Sequence, residues 1–126
     1  MRKPLPLDHI NLSVPNMEDA VAFYENIMGF TITHHFQKGE KNFVFMTDGN
    51  VVYELLEKKE FTSTVIDHLA YTSDDLQAEY DFYVKNHPDM LLTELNCSEI
   101  LFEKGMDYFF IKGVGNERIE FCQKRS

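Results

Sequence analysis

Four side chains able to bind a metal stand at matched places in this 126-residue chain: His9 and His68, Glu54 and Glu120. His68 lies 59 residues after His9 (68 − 9), and Glu120 lies 66 after Glu54 (120 − 54). Taken singly, a histidine or glutamate is most often solvated or hydrogen-bonded. The matched quartet is different, because packing does not require it and a buried carboxylate without a partner is costly. Two neutral imidazoles and two carboxylates around a divalent cation sum to zero charge, which a partly buried site tolerates. Nitrogen and oxygen donors without thiolate suit a single divalent ion, Ni or Zn first, then Co, Mn or Fe, in a six-coordinate arrangement. Two positions would stay open for waters or for two adjacent oxygens of a substrate, whose enediolate the ion would stabilise as a Lewis acid.

The elements that carry these residues are legible from periodicity. Apolar and polar residues alternate from Leu7 to Val14, which predicts a strand with Ile10, Leu12 and Val14 on one face and His9, Asn11 and Ser13 on the other. Pro15 stops it. Asn16 is a candidate helix cap with Glu18 and Asp19 in the first turn, and Ala20, Phe23, Tyr24, Ile27 and Met28 recur at helical spacing as far as Gly29. Strands are expected over Phe30–His35, Phe43–Thr47 and Val51–Leu56, the last two joined by the turn sequence Asp48-Gly49-Asn50. In "VVYELL" and "RIEFC" the glutamate interrupts an apolar pattern, so Glu54 opposes Tyr53 and Leu55, and Glu120 opposes Ile119 and Phe121. Sheets whose apolar face packs on a helix would turn all four candidate ligands toward a shared concave side.

The second half repeats the βαβββ order. "LDHINLSVPNMEDAVAFY" at 7–24 is answered by "IDHLAYTSDDLQAEYDFY" at 66–83, with the His and the Phe-Tyr pair both at the same offset of 59. The later offset of 66 requires seven inserted residues (66 − 59), expected in a longer hairpin around "NCSEILFEKG". Residues 57–65 form a polar linker. The domain is read as a single one over 1–126, made of modules 5–57 and 64–125.

Other candidates are weaker. His34 and His35 are strand neighbours without counterparts at the 59 offset, which favours surface or supporting roles; His87 precedes Pro88 and ends a helix. Arg118 shares a strand face with Glu120 and could hold a substrate anion or make a surface ion pair. Asn11 and Ser13, on the face of His9, complete the candidate substrate contacts. Tyr24, Tyr83 and the phenylalanines read as core, and Cys97 and Cys122 as free thiols in a reducing compartment.

Bulk properties narrow the classes. A formal charge of −9, with 12 scattered Lys and Arg, argues against nucleic acid and anionic membranes. No apolar run approaches the roughly 18 residues of a membrane span, and no secretory h-region follows the first residues, so a cytoplasmic location is expected.

"LDHINLSVPNMEDAVAFYENIMGF", "IDHLAYTSDD", "YELLE" and "NERIEF" together resemble the vicinal oxygen chelate superfamily, which includes glyoxalase I, bleomycin-resistance proteins, fosfomycin-resistance enzymes, methylmalonyl-CoA epimerase and extradiol dioxygenases. The resemblance implies an α+β fold in which two tandem βαβββ modules form a curved, cup-shaped mixed sheet with the helices outside, and a homodimer. A His, Glu, His, Glu ligand set resembles glyoxalase I, implying His9, Glu54, His68 and Glu120 as ligands and a lyase or isomerase acting on a vicinal-oxygen substrate such as a 2-oxoaldehyde-thiol hemithioacetal. By the same analogy Glu120 serves as general base while Glu54 stays as ligand. Ser13 stands where glyoxalase I commonly has an arginine for a glutathione carboxylate, and "GVGN" replaces its usual Asp-Pro turn, which leaves the thiol open. The alternatives within the superfamily are a small-molecule (antibiotic) binding and resistance protein without catalysis, and a small Fe-dependent dioxygenase.

Overall fold

The computed structural model describes residues 2–126, which form a mixed α+β fold of two βαβββ modules. In chain order the elements are β1 (Leu7–Val14), α1 (Met17–Asn26), β2 (Thr31–Lys38), β3 (Lys41–Thr47), β4 (Val52–Glu57), β5 (Val65–Thr72), α2 (Leu76–Asn86), a 3₁₀ turn (Pro88–Met90), β6 (Asn96–Ser98), β7 (Met106–Lys112) and β8 (Arg118–Lys124). The chain divides into two compact units, one of residues His9–Asp67 and the other of His68–Ser126 with the residues up to Asp8. Among the described residues no helix is long and apolar enough to cross a membrane.

In the first unit the strand order is β2-β3-β4-β1, with β1 parallel to β4 and the other pairs antiparallel. The helix between β1 and β2 starts as its sequence dictates. Asn16 accepts a bond from the Asp19 N–H at 2.9 Å, and Glu18 and Asp19 lie in the first turn. It ends where Gly29 takes φ +78°, a left-handed conformation open to glycine without a Cβ penalty, as the Phe30 N–H returns to the Tyr24 carbonyl at 2.8 Å. The packed face of α1 is narrower than expected. Met17, Ala20, Val21 and Tyr24 meet Leu12, Val14, Val44, Met46 and Leu55, while Phe23, Ile27 and Met28 are exposed. At 100° per residue the stripe through 17, 20–21 and 24 already fills the helix face that one four-stranded sheet can cover.

The second unit repeats this plan in the order β5-β8-β7-β6, with β5 parallel to β8. Asp75, 59 residues after Asn16, caps α2 by accepting from the Ala78 N–H at 3.1 Å, and His87 caps the other end, as expected. Leu76, Phe109, Ile111 and Phe121 form the core with Tyr71, Tyr80, Tyr83 and Ile119. Its outer strand departs from the repeat. Where the first unit has the eight residues of β2, the second has a 3₁₀ turn at Pro88–Met90, an isolated bridge from Leu91 to Ile111, and the three residues of β6. Pro88 has no N–H for a ladder, so the pairing restarts later. Residues 99–105 then loop out between β6 and β7, which is where the insertion was expected.

The first residues of the chain join this second unit. The Thr72 N–H bonds the Pro6 carbonyl at 3.0 Å, and Leu5 packs on the second core. The Arg2 guanidinium pairs with Glu79 and lies 3.6 Å from the centre of the Phe82 ring.

Candidate functional site

Strand register explains how each module sets one imidazole beside one carboxylate. In the first module β1 and β4 run parallel with Asn11 beside Glu54, and Phe45 of β3 lies across from Glu54 on its other side. His9, two residues before Asn11, is on the same face. Its Nε2 stands 3.4 Å from Glu54 Oε1, and both side chains are almost fully buried. In the second module Ala70 sits beside Glu120 and Phe110 across from it, the same arrangement 59, 66 and 65 residues on (70 − 11, 120 − 54, 110 − 45). His68 Nε2 stands 2.9 Å from Glu120 Oε1, again buried. The opposite faces carry Tyr53 and Leu55, and Ile119 and Phe121, into the two cores.

The donor geometry fits a metal. Two ligand atoms bound about 2.1 Å from one ion and at right angles to each other are roughly 3.0 Å apart, rising to about 3.4 Å at the tetrahedral angle. The pairs stand at 2.9 and 3.4 Å. Each pair therefore has the spacing of two adjacent ligands. An anionic carboxylate held this deep also gains from a cation, because burial raises the free energy of an isolated charge.

Two features of the site escaped the sequence reading. Phe45 and Phe110, read as plain core, are paired to the ligands. Phe45 meets the His9 ring edge-on at 5.8 Å and 78°, and Phe110 meets His68 at 4.9 Å and 87°. These contacts fix the plane of each imidazole. The signal was present in "FVFM" at 43–46 against "YFFI" at 108–111, an aligned repeat at offset 65 (108 − 43). The second feature is an asymmetry. Asn11 Nδ2 donates to Glu54 Oε1 at 2.7 Å, both groups buried, whereas the matching position in the second module is Ala70, fully buried and without a donor in its side chain. Placing Asn11 among substrate contacts missed this bond.

The remaining candidates lie as follows. Ser13 is buried on β1 beside Leu56. Arg118 is exposed at the start of β8 with its guanidinium 4.5 Å from the centre of the Phe110 ring, so it lies on the side of Phe110 and His68. His34 stacks on Phe36 at 5.5 Å and meets Phe45 edge-on, close to the site after all, while His35 Nε2 lies 2.6 Å from the Asn42 amide oxygen. They are separated by strand alternation even though the ladder shifts register between Ile32 and His34. Cys122 is buried and Cys97 half-buried, and neither is in a disulfide.

Residues 6–61 match the family model described as Glyoxalase/Bleomycin resistance protein/Dioxygenase superfamily. The chain is 28% identical over 128 residues to "Uncharacterized protein YwbC" of Bacillus subtilis (strain 168), covering 94% of this chain and 97% of that protein. It is 32% identical over 95 residues to "Uncharacterized protein YqjC" of the same strain, covering 63% of this chain and 68% of that protein. The crystal structure of methylmalonyl-CoA epimerase from Mycobacterium tuberculosis shares the fold, with a TM-score of 0.80 and 16% identity over 100% of this chain and 93% of that one. With the N-terminal module matched in sequence and the whole chain matched in fold, this protein belongs to the Glyoxalase/Bleomycin resistance protein/Dioxygenase superfamily.

Proposed function

We propose that this chain is a metal-dependent lyase or isomerase of the glyoxalase I type, acting on a small substrate with two adjacent oxygens, such as the hemithioacetal of a 2-oxoaldehyde and a thiol. The observation that carries the reading is the duplicated pair: one buried imidazole nitrogen beside one buried carboxylate oxygen in each module, at 3.4 and 2.9 Å. On this proposal His9, Glu54, His68 and Glu120 hold one divalent ion, Ni or Zn before Co, Mn or Fe, with the two modules brought together within one chain or by exchange in a homodimer. A bound divalent ion supplies Lewis-acid polarisation of the two adjacent substrate oxygens.

The chain's own residues divide the remaining work. Glu54 is the stationary carboxylate, because the Asn11 amide tethers the oxygen that faces His9. Glu120, which has Ala70 beside it where Glu54 has Asn11, is the carboxylate assigned to take the proton from the substrate C–H. Phe45 and Phe110 keep water from the inner edges of the imidazoles and hold their planes.

Metal content of the purified protein tests the reading directly. One ion per chain is expected, lost in His9→Ala and in His68→Ala, together with turnover of a methylglyoxal-thiol adduct. A protein that takes up no ion from excess Ni or Zn ends it.

A further inference from the structure

One row of the second unit's sheet is polar where its counterpart in the first is not. Tyr108 of β7 lies directly across from Cys122 of β8, with Asn96 of β6 on its other side and Thr72 of β5 beside Cys122. Residues paired across a ladder project from one face, so these four form a single row. The same face carries Phe110 and Glu120, opposed to each other two residues farther along the ladder. In the first unit the matching row is Phe36, Phe43, Leu56 and Ser13, in which Ser13 supplies the one hydroxyl. Phe43, Leu56 and Ser13 correspond to Tyr108, Cys122 and Thr72 at the repeat offsets of 65, 66 and 59 (108 − 43, 122 − 56, 72 − 13). Phenylalanine therefore satisfies the packing of this place in one module, and the Tyr108 hydroxyl is an addition in the other.

From this row we infer that Tyr108 determines specificity: its phenol donates a hydrogen bond to an uncharged oxygen of the substrate, such as an amide or ester carbonyl. Tyr108 is half-buried, and its ring meets Phe110 edge-on at 5.9 Å and 80°, while Phe110 meets the candidate ligand His68 at 4.9 Å. These ring contacts hold the phenol on the side of the candidate ligands. Among the described residues the Tyr108 hydroxyl has no hydrogen-bond partner, and a phenol seated against another aromatic ring takes its partner from ligand or water. The inference rests on the proposed function for where the reacting oxygens lie, beside His68 and Glu120. Tyr108 stands two residues along β7 from Phe110, which faces Glu120, so the accepting oxygen belongs roughly 6–7 Å from the reacting ones. The substrate class is thereby narrowed to a vicinal-oxygen compound carrying a neutral carbonyl at that reach.

Two catechols separate this bond from packing and from the metal. In 3,4-dihydroxybenzamide an amide oxygen stands across the ring from two adjacent oxygens, and 4-isopropylcatechol has the same branched shape without an acceptor. Their affinities are measured by calorimetry on the protein incubated with Ni, in wild type and in Tyr108→Phe, with bound Ni counted separately. The expected result is that Tyr108→Phe, which brings in the residue type of position 43, weakens dihydroxybenzamide about fivefold and isopropylcatechol by less than about twofold, with bound Ni retained. Failure of dihydroxybenzamide to bind wild type, an affinity unchanged in the variant, or an equal loss for both probes overturns the role of Tyr108. Bound Ni in both proteins without the selective loss overturns that role alone. Absence of bound Ni with the selective loss intact leaves the role standing and overturns the metal reading alone.

Discussion

The Asn11 tether gives the most quantitative prediction. Asn11→Ala removes a donor that holds a buried carboxylate at 2.7 Å, with only 3% of Asn11 and 4% of Glu54 exposed. A hydrogen bond to a charged group contributes about 1.5–3 kcal/mol, and at this depth water does not replace the lost donor, so a loss of about 2 kcal/mol in the metal-free protein is expected. For a chain of this size each kcal/mol moves the melting temperature by about 3–5 °C, giving a drop of roughly 6–10 °C by calorimetry. Metal affinity should fall by about 10- to 100-fold, the usual consequence of losing a group that orients a ligand. Asn11→Asp preserves volume and separates the bond from packing. At neutral pH it sets a second carboxylate against Glu54 and should melt at or below the alanine variant, and its deficit should shrink on acidification as the new acid gains a proton to donate. If both variants melt within about 1 °C of wild type in the metal-free state, Asn11 does not hold Glu54 and the division of roles between the two glutamates fails.

Glu120→Gln should retain bound metal yet lose turnover by about 100-fold or more, measured on a methylglyoxal-thiol adduct, because the amide is no base; turnover unchanged from wild type would refute the assignment. Leu55→Ala, at a fully buried position of the first core, should destabilise by about 2–5 kcal/mol in urea unfolding with little change in the slope of the transition. Asp48 accepts the N–H groups of Val51 and Asn50, which hold its carboxyl below the usual range. A depressed folded value stabilises above the unfolded value and is lost as pH falls through the folded one, so the stability gap between wild type and Asp48→Ala should be full at neutral pH and close in acid. A gap that widens on acidification would contradict this.

Much of the architecture could be read from local signals. The alternation at Leu7–Val14, the Asn16 and Asp75 caps at the same offset and the turn at Asp48-Gly49 are each set by a few neighbouring residues. The pairing of His9 with Glu54 and of His68 with Glu120 was also legible, because strand parity fixes which face a side chain joins. What stayed hidden depends on contacts between distant strands. Phe23, Ile27 and Met28 satisfy helical spacing, yet the sheet beneath α1 is too narrow to cover them. Phe45 and Phe110 look like any core phenylalanine until register sets them opposite a ligand glutamate.

Arg2 and Glu79 are 77 positions apart in the chain, and Leu5 and Pro6 lean on the same distant half. On the ribosome this arm is made early but has nothing to bind until translation has passed α2. At about 5–20 residues per second it stays unanchored for several seconds, during which residues 9–67 can already collapse on their own hydrophobic cluster. The arm is thus synthesised well before the half it straps, and a change at Arg2 or Leu5 would be felt in the unit that carries α2.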